Sequence, residues 1–88
     1  MIEVFDNLKN IYPDKIILFR VGDSYELYKE DAEYASGVLH INAISNAEGI
    51  LVVNFSIQDL DKNIEKLVKS GLRIAVYDEK LWFTDTLE

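Results

Sequence analysis

The sequence predicts an α+β domain in which about three helices flank a mixed β-sheet in two layers. Amphipathic stretches with helical spacing alternate along the chain with short strand-like stretches. A Gly-Asp pair separates two of the strands, and no internal repeat or long linker interrupts the order. Because 88 residues have room for one hydrophobic core, we expect residues 1–88 to form a single domain.

The first third of the chain predicts a helix and then a hairpin. Apolar residues recur at helical spacing from Ile2, and the helix ends before Pro13 because the residue before a proline avoids helical geometry. The segment from Ile16 to Tyr28 is rich in β-branched and aromatic residues on both sides of the Gly-Asp pair at 22–23. This pair suits the two-residue turn of a β-hairpin.

A second helix and a second hairpin follow. Acidic residues from Glu30 to Glu33 suit a helix N-terminus, and small and apolar residues on one face continue this helix to about Leu39. The segments HINAIS and GILVVNF are strand-like, and SNAEG between them has loop composition. We therefore expect two antiparallel strands here.

The last third predicts a helix and a buried strand. Ser56 is a suitable N-cap, with Asp59 as an acidic variant of the capping box, and apolar residues then recur at helical spacing until Gly71. The segment LRIAVYD is nearly all apolar, as in a strand buried on both faces, and LWFT predicts an additional edge strand.

The composition argues against an enzyme. The chain has no cysteine, and its one histidine, His40, follows a helix, where a capping or surface role is expected. The acids Asp23, Glu26, Glu30 and Asp31 lack the spacing of an EF-hand, and we interpret them as turn and cap residues. There is no glycine-rich phosphate loop. We expect a non-catalytic protein without a metal or other cofactor.

The charge and hydropathy of the chain restrict its partners and its location. A net charge of −7 opposes attraction to phosphate backbones, so any binding of nucleic acid must use a local patch. The basic stripe on the third helix is interleaved with acids, which favours a solvated outer face over a phosphate-binding one. No apolar run approaches the roughly 20 residues of a membrane span, and the first residues are unlike a signal peptide. We expect a cytoplasmic protein that does not contact a membrane.

Two long segments resemble a known family. YPDKIILFRVGDSYELYKEDAEYASGVLHI is similar to the N-terminal, mismatch-recognising domain of the MutS mismatch-repair proteins, and FSIQDLDKNIEKLVKSGLRIAVYDE is similar to the stretch that closes that domain. The resemblance covers roughly Ile2 to Lys80. It implies a mixed sheet flanked by helices, and DNA recognition without the ATPase, lever and clamp parts of full-length relatives.

The resemblance also implies a site. In that family a phenylalanine wedges beside a mispaired base, and the glutamate of the same Phe-x-Glu motif hydrogen-bonds that base. Carried onto this chain, the glutamate is Glu26 and the phenylalanine position is Ser24. Serine has no ring to stack on an unstacked base, so we expect no true mismatch detection. The candidates for secondary contacts are Tyr28, Lys62, Lys66 and Lys69.

Two functional hypotheses follow. The first is a stand-alone, MutS N-terminal-like domain related to DNA recognition or repair, which binds double-stranded or mismatched DNA weakly. The second is an acidic protein-interaction module, accessory to or competing with the repair machinery, with a protein partner at the C-terminal edge around Trp82 and Phe83. Salt separates them, because affinity for DNA falls steeply as the salt concentration rises.

Overall fold

A computed structural model describes residues 2–78 and, for the backbone, residues 86–87. The predicted strand LWFT and the expected partner surface around Trp82 and Phe83 lie outside the described residues. The described elements confirm the α+β class, the mixed sheet and the three helices. In chain order they are α1 (Ile2–Ile11), β1 (Lys15–Val21), β2 (Ser24–Tyr28), α2 (Lys29–Leu39), β3 (Ile44–Ser45), β4 (Leu51–Ser56), a 3-10 turn (Ile57–Asp59), α3 (Leu60–Lys69), β5 (Arg73–Tyr77) and β6 (Thr86–Leu87).

The strands of the described residues form one sheet in the order β3-β4-β2-β1-β5-β6. β1 and β5 are parallel, and the other neighbouring pairs are antiparallel. Both predicted hairpins are present, and the first closes where Val21 pairs with Ser24 across the two-residue turn. Gly22 has a φ of 61°, which a glycine adopts without steric cost. Because β2 lies between β1 and β4, the first hairpin is part of the centre of the sheet.

The helices cover both faces of the sheet. α2 and α3 pack on one face, where Leu67 of α3 joins the buried strand residues Leu27 and Ile74. On the other face α1 packs Phe5 and Leu8 against the sheet. Side chains alternate along a strand, so Tyr25 and Leu27 of β2 point toward α2 and α3. The alternate residues of β2, namely Ser24, Glu26 and Tyr28, point to the face that α1 partly covers.

The caps predicted at His40 and Ser56 are present, whereas Glu26, interpreted as a turn or cap residue, lies in the middle of β2. His40 is the C-cap of α2, with a φ of 58°, and the Ser56 hydroxyl accepts a hydrogen bond from the Gln58 amide at 3.1 Å. Asp31 lies in the first turn of α2, as predicted, but its side chain is only 2% exposed and accepts from a strand amide instead of capping the helix. Within the part of the chain that the structure describes, no helix is long and apolar enough to cross a membrane.

Asp31 is buried because its carboxylate binds a backbone amide of β1 that β2 leaves without a strand partner. The register of the first hairpin would place Ile17 opposite Tyr28, where β2 ends and α2 begins. The Asp31 carboxylate takes over as acceptor for the Ile17 amide at 3.1 Å, and it accepts a second hydrogen bond from Lys9 of α1 at 3.0 Å. This buried side chain therefore ties α1, β1 and α2 together.

Candidate nucleic-acid interface

Ser24 is the first residue of β2 after the hairpin turn, and its side chain is half-buried. Its hydroxyl donates a hydrogen bond to the Val21 carbonyl at 3.0 Å and accepts one from Asn54 Nδ2 at 3.1 Å. Val21 is the last residue of β1 and Asn54 belongs to β4. Ser24 therefore closes the hairpin and links it to the next strand.

Glu26 lies one pleat further along the same face, and neutral groups bind both of its carboxylate oxygens. The Tyr28 hydroxyl donates to Oε1 at 2.8 Å, and Asn54 Nδ2 donates to Oε2 at 3.1 Å. Glu26 and Asn54 are direct cross-strand partners, so the two N–H groups of one amide can serve Ser24 and Glu26. We call Ser24, Glu26, Tyr28 and Asn54 the hairpin cluster. It fixes the direction of the carboxylate and leaves lone pairs for the donors of a ligand.

The ring of Tyr28 belongs to the core. It is only 5% exposed and packs on Phe19, with ring centroids 5.1 Å apart, and edge-on against Phe5 at 6.1 Å. Burial raises the pKa of the Tyr28 hydroxyl, and the Glu26 carboxylate that accepts its hydrogen bond raises this pKa further. Tyr28 is therefore a neutral donor that orients Glu26, and its ring is buried against other aromatic rings.

The lysines of α3 do not join the hairpin cluster. Because α3 packs through Leu67 on the face of α2, its lysines lie on the other side of the sheet from Glu26. Two of them form exposed ion pairs within α3 and its N-terminal turn, Lys62 with Asp59 at 3.6 Å and Lys69 with Glu65 at 3.2 Å. Lys66 has no ion pair among the described residues.

The structure adds Arg20, which we did not single out from the sequence. Its Nε donates to the Gly22 carbonyl at 3.1 Å, which holds the guanidinium at the hairpin turn. Arg20 pairs with Tyr25 across the hairpin, so it lies on the face of α3. The amide of Ile57 donates to the Asp23 carbonyl at 2.9 Å, which brings the start of the last helix beside the same turn. The terminal N–H groups of Arg20 suit a phosphate.

An open groove continues from the hairpin cluster on the face of α1. It lies between the first turn of α1 and the second hairpin, and its charged lining residues are Glu3, Glu26 and Glu48. Neither in this groove nor elsewhere among the described residues do three histidine, aspartate or glutamate side chains have the arrangement of a metal site. The two sides of the first hairpin therefore differ in charge, cationic at Arg20 and anionic along the groove.

Comparison with known proteins identifies the family. Residues 1–81 match the family model described as MutS domain I. The chain is 41% identical over 83 residues to the DNA mismatch repair protein MutS of Phocaeicola vulgatus, an alignment that covers 90% of this chain and 10% of that protein. The same protein of Porphyromonas gingivalis is 41% identical over 76 residues, and the alignment covers 82% and 8% of the two chains. That of Flavobacterium johnsoniae is 36% identical over 83 residues, covering 90% and 10%. The chain spans about a tenth of the length of these relatives, and it belongs to the MutS domain I family.

Proposed function

We propose that this chain is a non-catalytic, cytoplasmic MutS domain I that binds duplex DNA weakly with the tip of its first hairpin and does not detect mismatches. The observation that carries the proposal is the hairpin itself. Its tip presents Arg20 beside the turn, and the resemblance assigns Glu26 to the position of the motif's glutamate. Ser24 occupies the position of the wedging ring.

The proposed lack of mismatch detection has a physical reason. An inserted ring offsets the cost of unstacking a base step, which is about a few kcal/mol. The Ser24 hydroxyl is bound to Val21 and Asn54, and it has no face to stack in any conformation. The nearest ring on the same strand face, Tyr28, is buried against Phe19. Neither Ser24 nor Tyr28 therefore offsets the free-energy cost of unstacking a base step.

The proposed weak binding follows from the charges at the tip. Arg20 and the exposed Lys62 lie on the same face of the sheet, near the turn and in the first part of α3. They offer contacts for one or two phosphates, while the net charge of −7 opposes approach. For B-DNA the logarithm of the binding constant falls with the logarithm of the salt concentration with a slope of about −0.9 per phosphate. We therefore expect a slope of about −1 to −2.

Fluorescence anisotropy at low salt tests the proposal. The titrations use a labelled, fully paired duplex and the same duplex with one mismatch, each against the natural chain, Ser24→Phe, Ser24→Ala and Glu26→Ala. We expect the natural chain to bind both duplexes equally, and Ser24→Phe to prefer the mismatch. Ser24→Ala loses the same two hydrogen bonds without adding a ring, so it separates the effect of the ring from a loosened turn.

Two results would contradict the proposal in different ways. A mismatch preference in the natural chain that Glu26→Ala abolishes would show that this hairpin reads mispairs without a ring at position 24. The absence of any salt-dependent binding of either duplex would show that this chain is not a DNA-binding domain on its own.

A further inference from the structure

The groove beside the hairpin cluster has the properties of a protein-docking surface. It is lined on one side by the first turn of α1, with Ile2 and Glu3, and on the other by the second hairpin and the segment before it, with Ile44 and Glu48. Val52 and neighbouring side chains of β4 form part of the lining between these sides. The groove thus combines an aliphatic surface with carboxylates and asparagine amides.

The acids of the groove form no ion pair within residues 2–78, as is also true of Asp23, Glu30, Glu33 and Asp61. Five other acids do form one. Asp6, Asp14, Asp31, Asp59 and Glu65 each form an ion pair with a lysine or arginine. Within residues 2–78, Glu3, Glu26 and Glu48 form none, and no lysine or arginine is among the residues that line the groove. Carboxylates of one sign around a concave surface reinforce one another's potential and attract a cation.

The aliphatic lining is open to solvent as well. Ile44 is 69% exposed, and it belongs to β3, which is the edge strand at one end of the sheet that the described residues form. Ile41, Ile50 and Val52 also line the groove and are only partly buried. An extended segment beside this edge can pair with backbone and cover the aliphatic side chains.

We propose that this groove docks a basic segment of a partner protein, in which lysine or arginine side chains alternate with aliphatic ones. Charge complementarity selects this occupant: the long aliphatic stems of lysine and arginine cover apolar surface while their cationic ends reach the carboxylates. A nucleic acid would place phosphates against three unneutralised acids, which is unfavourable. The proposal does not depend on the DNA-binding proposal, because Glu3 and Glu48 lie outside the hairpin cluster.

An NMR titration of the full 88-residue chain tests the proposal. The probe is the peptide Gly-Lys-Leu-Arg-Val-Lys-Gly, and the comparison peptide has glutamate at its three basic positions. We expect the basic peptide to shift amide signals of residues 41–52 and of Glu26, and the acidic peptide to shift none. Glu48→Gln and Glu3→Gln should each weaken binding about two- to fivefold, the range for one exposed ion pair.

Glu33→Gln is the matched control. Glu33 is exposed on α2, which packs on the opposite face of the sheet, so this variant changes the net charge equally but leaves the groove intact. Binding equal to that of the natural chain supports the proposal. An equal loss in Glu33→Gln and Glu48→Gln would overturn it, since the peptide would then follow only the net charge. It would also be overturned if the basic peptide shifted no groove signal, if a DNA duplex shifted the signals of residues 41–52, or if the groove signals moved with protein concentration alone, as for a second copy in the groove.

Discussion

Removing the carboxylate of Asp31 should destabilise the fold, because this side chain links α1, β1 and α2. Asp31 is 2% exposed and accepts hydrogen bonds from the Ile17 amide and from Lys9. Breaking a buried ion pair from one side costs about 3–5 kcal/mol. Lys9 is 15% exposed and keeps its bond to the Lys15 carbonyl, so its ammonium can turn toward water. We therefore expect Asp31→Ala to lower the free energy of unfolding by about 3 kcal/mol, out of the roughly 5–15 kcal/mol typical of a domain.

The stability that Lys9 contributes through its ion pair with Asp31 should depend on pH. Burial raises the pKa of the Asp31 carboxyl above its ordinary value of 3.8, against the opposing effects of the Ile17 amide and Lys9. Because the pKa of Asp31 is higher in the folded than in the unfolded protein, the protonated carboxyl favours folding. This contribution of Asp31 to the free energy of unfolding is complete below the unfolded pKa and is lost as the pH rises through the folded pKa. Lys9→Met removes a group that lowers this pKa. We therefore expect Lys9→Met to cost more stability at neutral pH than at about pH 4.

Urea unfolding followed by far-ultraviolet circular dichroism measures both effects. Glu65→Ala is the control, since Glu65 is 65% exposed and pairs with Lys69 on the surface, and its loss should cost less than about 0.5 kcal/mol. A cost below about 1 kcal/mol for Asp31→Ala, within the range of one ordinary hydrogen bond, would refute the assigned role. An equal loss for Lys9→Met at both pH values would refute the linkage.

Three further substitutions test the core, the hairpin cluster and the hairpin tip. Phe5→Ala should destabilise the fold by about 3–5 kcal/mol because Phe5 is 1% exposed, whereas Ile11→Ala, at a side chain that is 64% exposed, should change unfolding in urea by less than about 0.5 kcal/mol. Tyr28→Phe removes the donor to Glu26 at 2.8 Å and should cost about 1.5–3 kcal/mol, the value for a hydrogen bond to a charged group; an unchanged urea midpoint would contradict this. Arg20→Gln should make the salt dependence of DNA binding shallower by about 0.9, and Lys29→Gln, which removes a cation paired with Asp6 on the face of α1, should leave the slope unchanged.

The first hairpin was predictable from the sequence because its information is local. The Gly-Asp pair specifies a tight turn between two strand-like segments. This turn fixes the register that pairs Val21 with Ser24. The N-cap at Ser56 and the C-cap at His40 were predictable for the same reason. Each depends on side chains within a few positions of the element that it begins or ends.

The hairpin cluster required knowledge of which strands pair. Asn54 contacts Glu26, which is 28 positions away in the chain, only because β4 lies antiparallel to β2 in one particular register. The alternation of polar and apolar residues in LVVNFS shows that Asn54 faces away from Val53 and Phe55, but not which strand it meets. Asp31 was misinterpreted for a related reason: its acceptor role follows from where β2 leaves β1, which local helix-start preferences do not contain.

The alternation of side chains along the hairpin also makes the two proposed binding modes separable. Arg20 pairs with Tyr25 on the face of α2 and α3, whereas Glu26 and the groove lie on the face of α1. The proposed phosphate contact of Arg20 and the proposed docking groove therefore lie on opposite faces of the same hairpin. We expect Arg20→Gln to weaken binding of the duplex and not of the basic peptide. We expect Glu48→Gln to weaken binding of the peptide and not of the duplex. Titration of each variant with the two probes measures both effects. Weakening of both probes by either variant would mean that one surface serves both, and that the charge difference across the hairpin does not separate them.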